Sequence, residues 1–171
     1  MELWELYDKD RRLLPDFVIR GNEIPEGCYH LCVEIWMINE NGEVLLTQRH
    51  PDKERYALCW ECSGGGARKG EKSQEAAFRE VSEETGLKLN PDHLFYVGSY
   101  RGDNWFMDTY VYFYKGNPHP ELNLQEEEVV DAKWVKLEKL SKEKNVIPDK
   151  IERFLGYMTK IEEIKKEKFR G

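Results

Sequence analysis

Three acidic side chains lie close together in a predicted helix near the middle of the chain. Glu80, Glu83 and Glu84 are spaced at i, i+3 and i+4, so their carboxylates share one helical face. They precede Gly86, at the end of the helix where the dipole already disfavours negative charge. Hard cations such as Mg2+ take oxygen ligands and favour clustered carboxylates. The cluster therefore indicates a divalent-metal site, with an exposed acidic helix face as the alternative.

Residues beside this cluster add to the metal interpretation. Arg79 directly precedes Glu80, and its planar guanidinium could hold the carboxylate of Glu71 in a bidentate pair. Positions 64–66 are all glycine, which allows the backbone to approach a ligand or a metal closely. An ordinary turn also explains the glycines, so they count only in combination with the acidic residues.

Taken together, these positions resemble the signature of the Nudix family, G-x5-E-x7-R-E-U-x-E-E-x-G-U, in which U is aliphatic. The match begins at Gly65, passes through Glu71 and Arg79, and ends at Leu87, and every fixed position agrees. So long a pattern is far more specific than a short glycine motif. The resemblance implies an α/β fold of the Nudix type, an α/β/α sandwich around a mixed β-sheet with a loop-helix-loop catalytic motif.

The resemblance also implies a role for each matched residue. The groups that would ligate Mg2+ or Mn2+ are the carboxylates of Glu80, Glu83, Glu84 and Glu127 and the backbone carbonyl of Gly64. Glu71 and Arg79 would orient these ligands. The implied reaction is hydrolysis of a diphosphate bond in a nucleoside diphosphate derivative or a related organic diphosphate, by metal-activated water.

A general base must take the proton from that water, and Nudix proteins differ in which glutamate does so. The candidates are Glu83 and one residue of the later acidic run, Glu126, Glu127 or Glu128. That run also fits a solvated loop, and the sequence does not indicate which member points inward.

Two basic residues before the signature suggest where a diphosphate binds. The stretch with Arg49, Lys53 and Trp60 looks like the branch that includes isopentenyl diphosphate isomerase and its hydrolase relatives, in which the matching Arg and Lys bind a diphosphate. Surface charges near a hairpin are the alternative. An isomerase would use Cys62, yet Ser63 follows it in place of a metal-binding His. The complete signature favours hydrolysis over isomerisation and over a sensor that binds without turnover.

An aromatic cluster offers a surface for a base. Trp105, with Tyr100 and Phe106, could stack on a nucleobase, and the neighbouring pair 103–104 could add polar recognition. Packing in the core is the alternative for all three rings.

The elements that must position these groups follow from periodicity and turn signals. Strands are predicted at 29–38, 44–48, 58–62, 94–101, 108–115 and 132–135, and a short one around Trp4. A helix is predicted over 74–85, with Ser73 as its N-cap and Gly86 just past its end. An apolar stripe predicts one C-terminal helix in 148–171, from about 149 to 168, with a packing role alone.

Composition limits the classes of protein. A chain of 171 residues that is 40% hydrophobic predicts a single domain over 1–171, with 1–27 as an N-terminal elaboration. A net charge of −7 argues against nucleic acid as a partner. Since neither a leader nor a membrane span is evident, we expect a cytoplasmic enzyme that acts on a small molecule. Exposed strand edges make a homodimer a reasonable expectation.

Four cysteines form two closely spaced pairs, Cys28 with Cys32 and Cys59 with Cys62, a spacing that could indicate zinc. Strand alternation would point Cys59 and Cys62 to opposite faces, so reduced thiols acting as small hydrophobic groups are the preferred interpretation.

Overall fold

A mixed β-sheet forms the centre of the molecule in the computed structural model, which describes residues 1–169. The strands are β1 Leu3–Tyr7, β2 Leu13–Ile19, β3 His30–Asn39, β4 Glu43–Arg49, β5 Trp60–Glu61, β6 Ser63–Gly66, β7 Leu94–Arg101, β8 Trp105–Tyr114 and β9 Val129–Lys136. The main path runs β5-β4-β3-β8-β7, with β6 paired to β3 and β9 paired to β4. Only β3 and β8 of these pairs run parallel, which makes the sheet mixed.

Strand β3 separates two cores because its side chains alternate between the faces of the sheet. Val33 and Ile35 pack with Ala77 of the first helix, α1 (Ser73–Thr85). Trp36 faces the other way and stacks on Phe154 at 4.2 Å between ring centroids. Helices therefore cover both faces, which confirms the predicted α/β/α arrangement.

The hairpin of β3 and β4 holds together only at its turn, where Ile38 pairs with Val44. Beyond that point β4 pairs with β5 and β9, while β6 takes the place beside β3. Beyond the turn, β3 and β4 are therefore not paired with each other, and the short glycine strand β6 lies beside β3.

The predicted N-terminal elaboration is a separate two-stranded hairpin of β1 and β2. It joins the body through backbone hydrogen bonds between Tyr7 and Tyr29 and through the stacking of Trp4 on His30, with ring centroids 4.2 Å apart. The ring of Trp4 also lies against Gly66, where a β-carbon would come 2.8 Å from its Nε1. The N-terminal hairpin therefore packs against β6.

Two predictions about the helices need correction. Ser73 is the first residue of α1 and not its N-cap, because its hydroxyl bonds the Asp108 carboxylate at 2.5 Å, and Lys72 precedes it as the cap. The C-terminal segment forms two helices, α2 (Pro148–Gly156) and α3 (Met158–Lys168), separated at Tyr157. Residues 170–171, which the prediction included, lie outside the described part.

The predicted strand at 58–62 is also shorter than expected. Leu58 has a left-handed backbone with φ of 59°, so pairing begins only at β5. Across residues 1–169, no helix has the length and apolar character needed to cross a membrane.

Candidate active site

Helix α1 presents the acidic cluster because its opposite face is apolar. Ala76, Ala77 and Val81 are fully buried against the sheet. The helix ends at Gly86, whose φ of 73° suits glycine and whose N–H donates to the carbonyl of Ser82. This packing fixes the direction in which the predicted carboxylates leave the helix.

Arg79 connects the acidic residues of the signature. Its Nε and Nη2 each donate to Glu71 at 2.8 Å, as the sequence suggested. Its Nη1 donates to Glu80 at 2.6 Å and to Glu83 at 3.1 Å, and Nη2 also reaches the carbonyl of Gly66 at 3.0 Å. Burial opposes the charged form, yet these carboxylates raise the pKa of Arg79 above its ordinary value. A permanent cation therefore holds Glu71, Glu80 and Glu83 around the glycine strand.

The glycine strand makes room for this arrangement at Gly65. A β-carbon there would lie 2.5 Å from Oε1 of Glu80, closer than real β-carbon contacts allow. Glycine at this position therefore lets the Glu80 carboxylate lie directly against the backbone. Gly64, the neighbouring predicted ligand, pairs in register with Glu34 of β3.

Glu84 differs from the other acids because it has no basic partner in direct contact. The residue is 9% exposed, and its Oε2 is one of three buried polar side-chain atoms in residues 1–169 that lack a hydrogen-bond partner. Burial, with Glu61 and Glu80 nearby, raises the pKa of Glu84 to about 8. An unpaired buried carboxylate is costly, and a divalent cation would relieve that cost.

Two residues of this site were missed by the sequence reasoning. Glu61 of β5 is 8% exposed and accepts a hydrogen bond from Arg49 Nη1 at 2.6 Å. Lys150 of α2 contacts the other oxygen of the same carboxylate. Burial works against ionisation, but the two cations lower the pKa of Glu61 overall. A charged residue inside a short buried strand could have indicated Glu61. No feature of the sequence indicates that Lys150 lies at this site.

A second helix residue brings a cation to the same face of the sheet. Arg153 donates to the fully buried Glu34 at 2.9 and 3.2 Å, and Thr109 donates to that carboxylate at 2.8 Å. The Arg153 guanidinium also lies over the rings of Tyr100 and Trp105, at 5.6 and 5.8 Å from their centroids. Helix α2, predicted to serve packing alone, thus contributes two basic side chains to the polar part of the sheet face.

The predicted substrate residue Trp105 lines a cleft of about 570 Å3. The residues lining it are Tyr100, Gly102, Asp103, Trp105, Asp149, Glu152 and Arg153. Phe106 points to the opposite face and is buried in the first core, so it does not share this cleft. The cleft therefore combines aromatic rings with three carboxylates.

The later acidic run lies next to the end of α1, where Gln125 N–H donates to the backbone carbonyl of Glu84 at 3.2 Å. Glu126 and Glu127 are exposed, while Glu128 is half-buried and forms an ion pair with Lys53. The acidic run therefore lies close to the end of α1. Lys53 is paired with Glu128, and the side chain of Glu127, a predicted ligand, is exposed to solvent.

A divalent ion would have to reorganise these acids. Among residues 1–169, no three acidic, histidine or cysteine side chains already form a cage for a metal ion. Arg79 and Lys150 instead bind the carboxylates that flank Glu84. The buried Oε2 of Glu84, which has no hydrogen-bond partner, and the close approach of Glu80 to Gly65 nevertheless fit a hard cation with oxygen ligands.

The cysteines are free thiols, as the preferred interpretation expected. Cys62 is buried in the second core, and burial raises the pKa of its thiol well above the ordinary value. Such a thiol is a poor proton donor or nucleophile, which counts against the isomerase alternative.

Comparisons with known proteins agree with this geometry. Residues 29–154 match the family model described as NUDIX domain. An uncharacterised Nudix hydrolase of Listeria monocytogenes is 38% identical over 141 residues, which cover 82% of this chain and 83% of the relative.

Two solved structures show the same fold. A MutT protein from Methanosarcina mazei Go1 is 28% identical, with a TM-score of 0.59 over 78% of this chain and 96% of that one. The NUDIX domain of Shewanella oneidensis NrtR, complexed with ADP ribose, has a TM-score of 0.62 at 16% identity, over 77% of this chain and 87% of that one. The second similarity concerns the fold alone.

Proposed function

The chain belongs to the Nudix family of hydrolases, and from that membership we propose that it cleaves the diphosphate bond of a nucleoside diphosphate derivative with the help of Mg2+ or Mn2+. The observation that carries the proposal is Glu84, a buried carboxylate at the end of the signature helix whose Oε2 has no hydrogen-bond partner. Burial raises its pKa most, and the nearby Glu61 and Glu80 raise it further, so acidic side chains converge on one point. A phosphate ester would be repelled there unless a metal ion or a basic side chain neutralised that charge.

The residues that would hold this cation are the acids of α1 with the glycine strand. Glu80 and Glu84 would provide carboxylate oxygens, Gly64 a carbonyl and Glu83 a further oxygen. The bound ion would supply Lewis-acid chemistry and lower the pKa of a coordinated water. Glu71 fixes the orientation of Arg79, which in turn fixes Glu80 and Glu83.

The proton of the attacking water needs an acceptor near these acids. Glu83 remains a candidate because its side chain is 35% exposed and therefore accessible to solvent. In the acidic run, Glu128 is the half-buried member, and an exposed Glu127 would have to turn inward to act as a ligand or base. We assign the base to Glu83 or to one member of that run.

The substrate class follows from the chemistry of the Trp105 cleft. The rings of Tyr100 and Trp105 offer a stacking surface for a base, and the carboxylates of Asp103 and Glu152 can accept hydrogen bonds from hydroxyl or amino groups. A prenyl chain would instead leave these charges desolvated and unpaired. Lys53 is proposed to contact the diphosphate after release from Glu128, and Arg49 through its other guanidinium N–H groups while its Nη1 stays on Glu61. The similar NrtR domain was solved with ADP ribose, a ligand of the proposed class.

A substrate screen tests the proposal. The purified protein is incubated with Mg2+ or Mn2+ and a panel of nucleoside triphosphates, nucleotide sugars, ADP-ribose, prenyl diphosphates and a 5′-triphosphorylated RNA, and mass spectrometry identifies the products. We expect metal-dependent cleavage of a nucleoside derivative, lost in Glu84→Gln and retained in the control Glu138→Gln, an exposed residue in the segment that follows β9. Full turnover by Glu84→Gln would exclude the proposed metal ligand.

Two further expectations remain predictions. A single domain over 1–171 would give one unfolding transition, and a homodimer would give twice the monomer mass in analytical ultracentrifugation.

A further inference from the structure

Lys150 places a second cation on a carboxylate that is already paired. Its ammonium contacts one oxygen of Glu61, while Arg49 donates to the other oxygen at 2.6 Å. The side chain of Lys150 is 16% exposed and that of Glu61 is 11% exposed. Because Arg49 alone can neutralise Glu61, the ammonium is not required for charge balance at this carboxylate.

Backbone hydrogen bonds fix the start of α2 beside β5: Trp60 N–H donates to the carbonyl of Asn145, and Ile147 N–H donates to the carbonyl of Trp60. The charges of Lys150 and Glu61 both affect the pKa of Glu84, which places the pair near the proposed metal ligands. Arg79 serves the opposite side of the acidic cluster and is saturated by Glu71, Glu80 and Glu83. Lys150 differs from Arg79 because its acidic partner, Glu61, retains a second cation when the ammonium moves.

The chemistry of the side chain suits an anionic ligand. A lysine carries a compact charge on a flexible stem with three donors, which can rotate from one acceptor to another and bind phosphate. Its position in the first turn of α2 anchors the stem, its sequence neighbour Asp149 lines the Trp105 cleft, and 16% of the lysine side chain remains exposed.

We propose that Lys150 binds the diphosphate of the substrate: its ammonium leaves Glu61, which keeps Arg49, and donates to non-bridging phosphoryl oxygens. This assignment rests on the proposed function, since it presumes a diphosphate ligand. In the free enzyme Glu61 holds the ammonium and competes with the diphosphate for it. Lys150 therefore favours anion binding, whereas Glu61 opposes it.

Two variants that should change the affinity for pyrophosphate in opposite directions test the proposal. Binding of inorganic pyrophosphate is measured by isothermal titration calorimetry at low ionic strength with EDTA, so that neither metal nor turnover enters. Loss of a charged hydrogen bond in Lys150→Met should weaken binding by about tenfold or more. Glu61→Gln, which frees the ammonium and removes a negative charge, should tighten it by about threefold or more. The exposed Lys144→Met serves as the matched control and should bind as the wild type does.

Other results overturn the proposal. A wild-type protein that does not bind pyrophosphate, equal affinities in wild type and Lys150→Met, or weaker binding in Glu61→Gln would each make the pair purely structural. Circular dichroism verifies that each variant is folded, and if Lys150→Met is not, Lys150→Gln and the sign in Glu61→Gln decide. The titration measures no cleavage, so a negative substrate screen would not change its result. Failure of this proposal can therefore be told apart from failure of the proposed function.

Discussion

Removal of the Arg79 guanidinium should destabilise the protein strongly, even without any metal. The side chain is 14% exposed and makes two 2.8 Å bonds to Glu71 and one of 2.6 Å to Glu80, both of which are also mostly buried. Truncating one partner of a buried ion pair costs about 3–5 kcal/mol, because the remaining charges stay desolvated. We therefore expect Arg79→Ala to lower the free energy of unfolding by about 3–5 kcal/mol.

The assay is urea unfolding followed by tryptophan fluorescence in EDTA. Arg68→Ala is the control, since that side chain is 44% exposed and its pair with Glu83 should contribute about 1 kcal/mol or less. A double-mutant cycle with Glu71→Gln should return a coupling energy of about 2 kcal/mol. If Arg79→Ala costs no more than Arg68→Ala, the ion-pair network does not hold the acids in place and the reasoning fails.

Four further predictions concern the acids and the glycines around them. Because burial raises the pKa of Glu84 to about 8, Mn2+ affinity should rise about tenfold per pH unit from 6 to 8 and then level off. Electron paramagnetic resonance measures this affinity, and an affinity that does not change with pH would contradict the prediction. The same raised pKa means that the metal-free protein loses stability as pH rises from the ordinary value of 4.5 to about 8, a decline that calorimetry should find absent in Glu84→Gln. Gly65→Ala, whose β-carbon would displace the Glu80 carboxylate, should weaken Mn2+ binding by about tenfold, and unchanged affinity would refute the proposed crowding. Gly86→Ala should cost about 1–2 kcal/mol in urea unfolding because its φ is 73°, and a change below about 0.5 kcal/mol would show that the backbone adapts.

The elements that the sequence predicts well are those with strong local signals. The strand predicted at 94–101 is β7, and the helix predicted at 74–85 differs from α1 by one residue at its start. Apolar spacing predicts the extent of that helix, and Gly86 marks its C-terminal end locally. The pairing of Glu71 with Arg79 was also accessible, since both belong to the same signature.

The elements that it misses depend on contacts between distant residues. Strand β2 contains Pro15, which argues against a strand, but an edge of a two-stranded hairpin tolerates it. The C-terminal helix breaks at Tyr157, whose ring lies against Gly98, where a β-carbon would come within 2.4 Å of it. No local pattern indicates either event.

The site shows the same division between local and distant information. Lys150 and Glu61 are 89 residues apart in sequence, and only the packing of α2 on the sheet brings them together. Similarly, strand alternation separates Phe106 from Trp105, which the cluster of aromatic residues alone could not do. The signature predicts the catalytic platform, whereas the fold determines which charges surround it.

The most direct test of the central claim is the origin of the oxygen that enters the product. The substrate identified by the screen is cleaved with Mg2+ in water enriched in 18O, and mass spectrometry counts the label in each product. The account predicts one 18O atom per turnover, in a single phosphate-containing product, and no incorporation in Glu84→Gln. A product without label, or an isomer formed with its diphosphate intact, would contradict hydrolysis by water at this site.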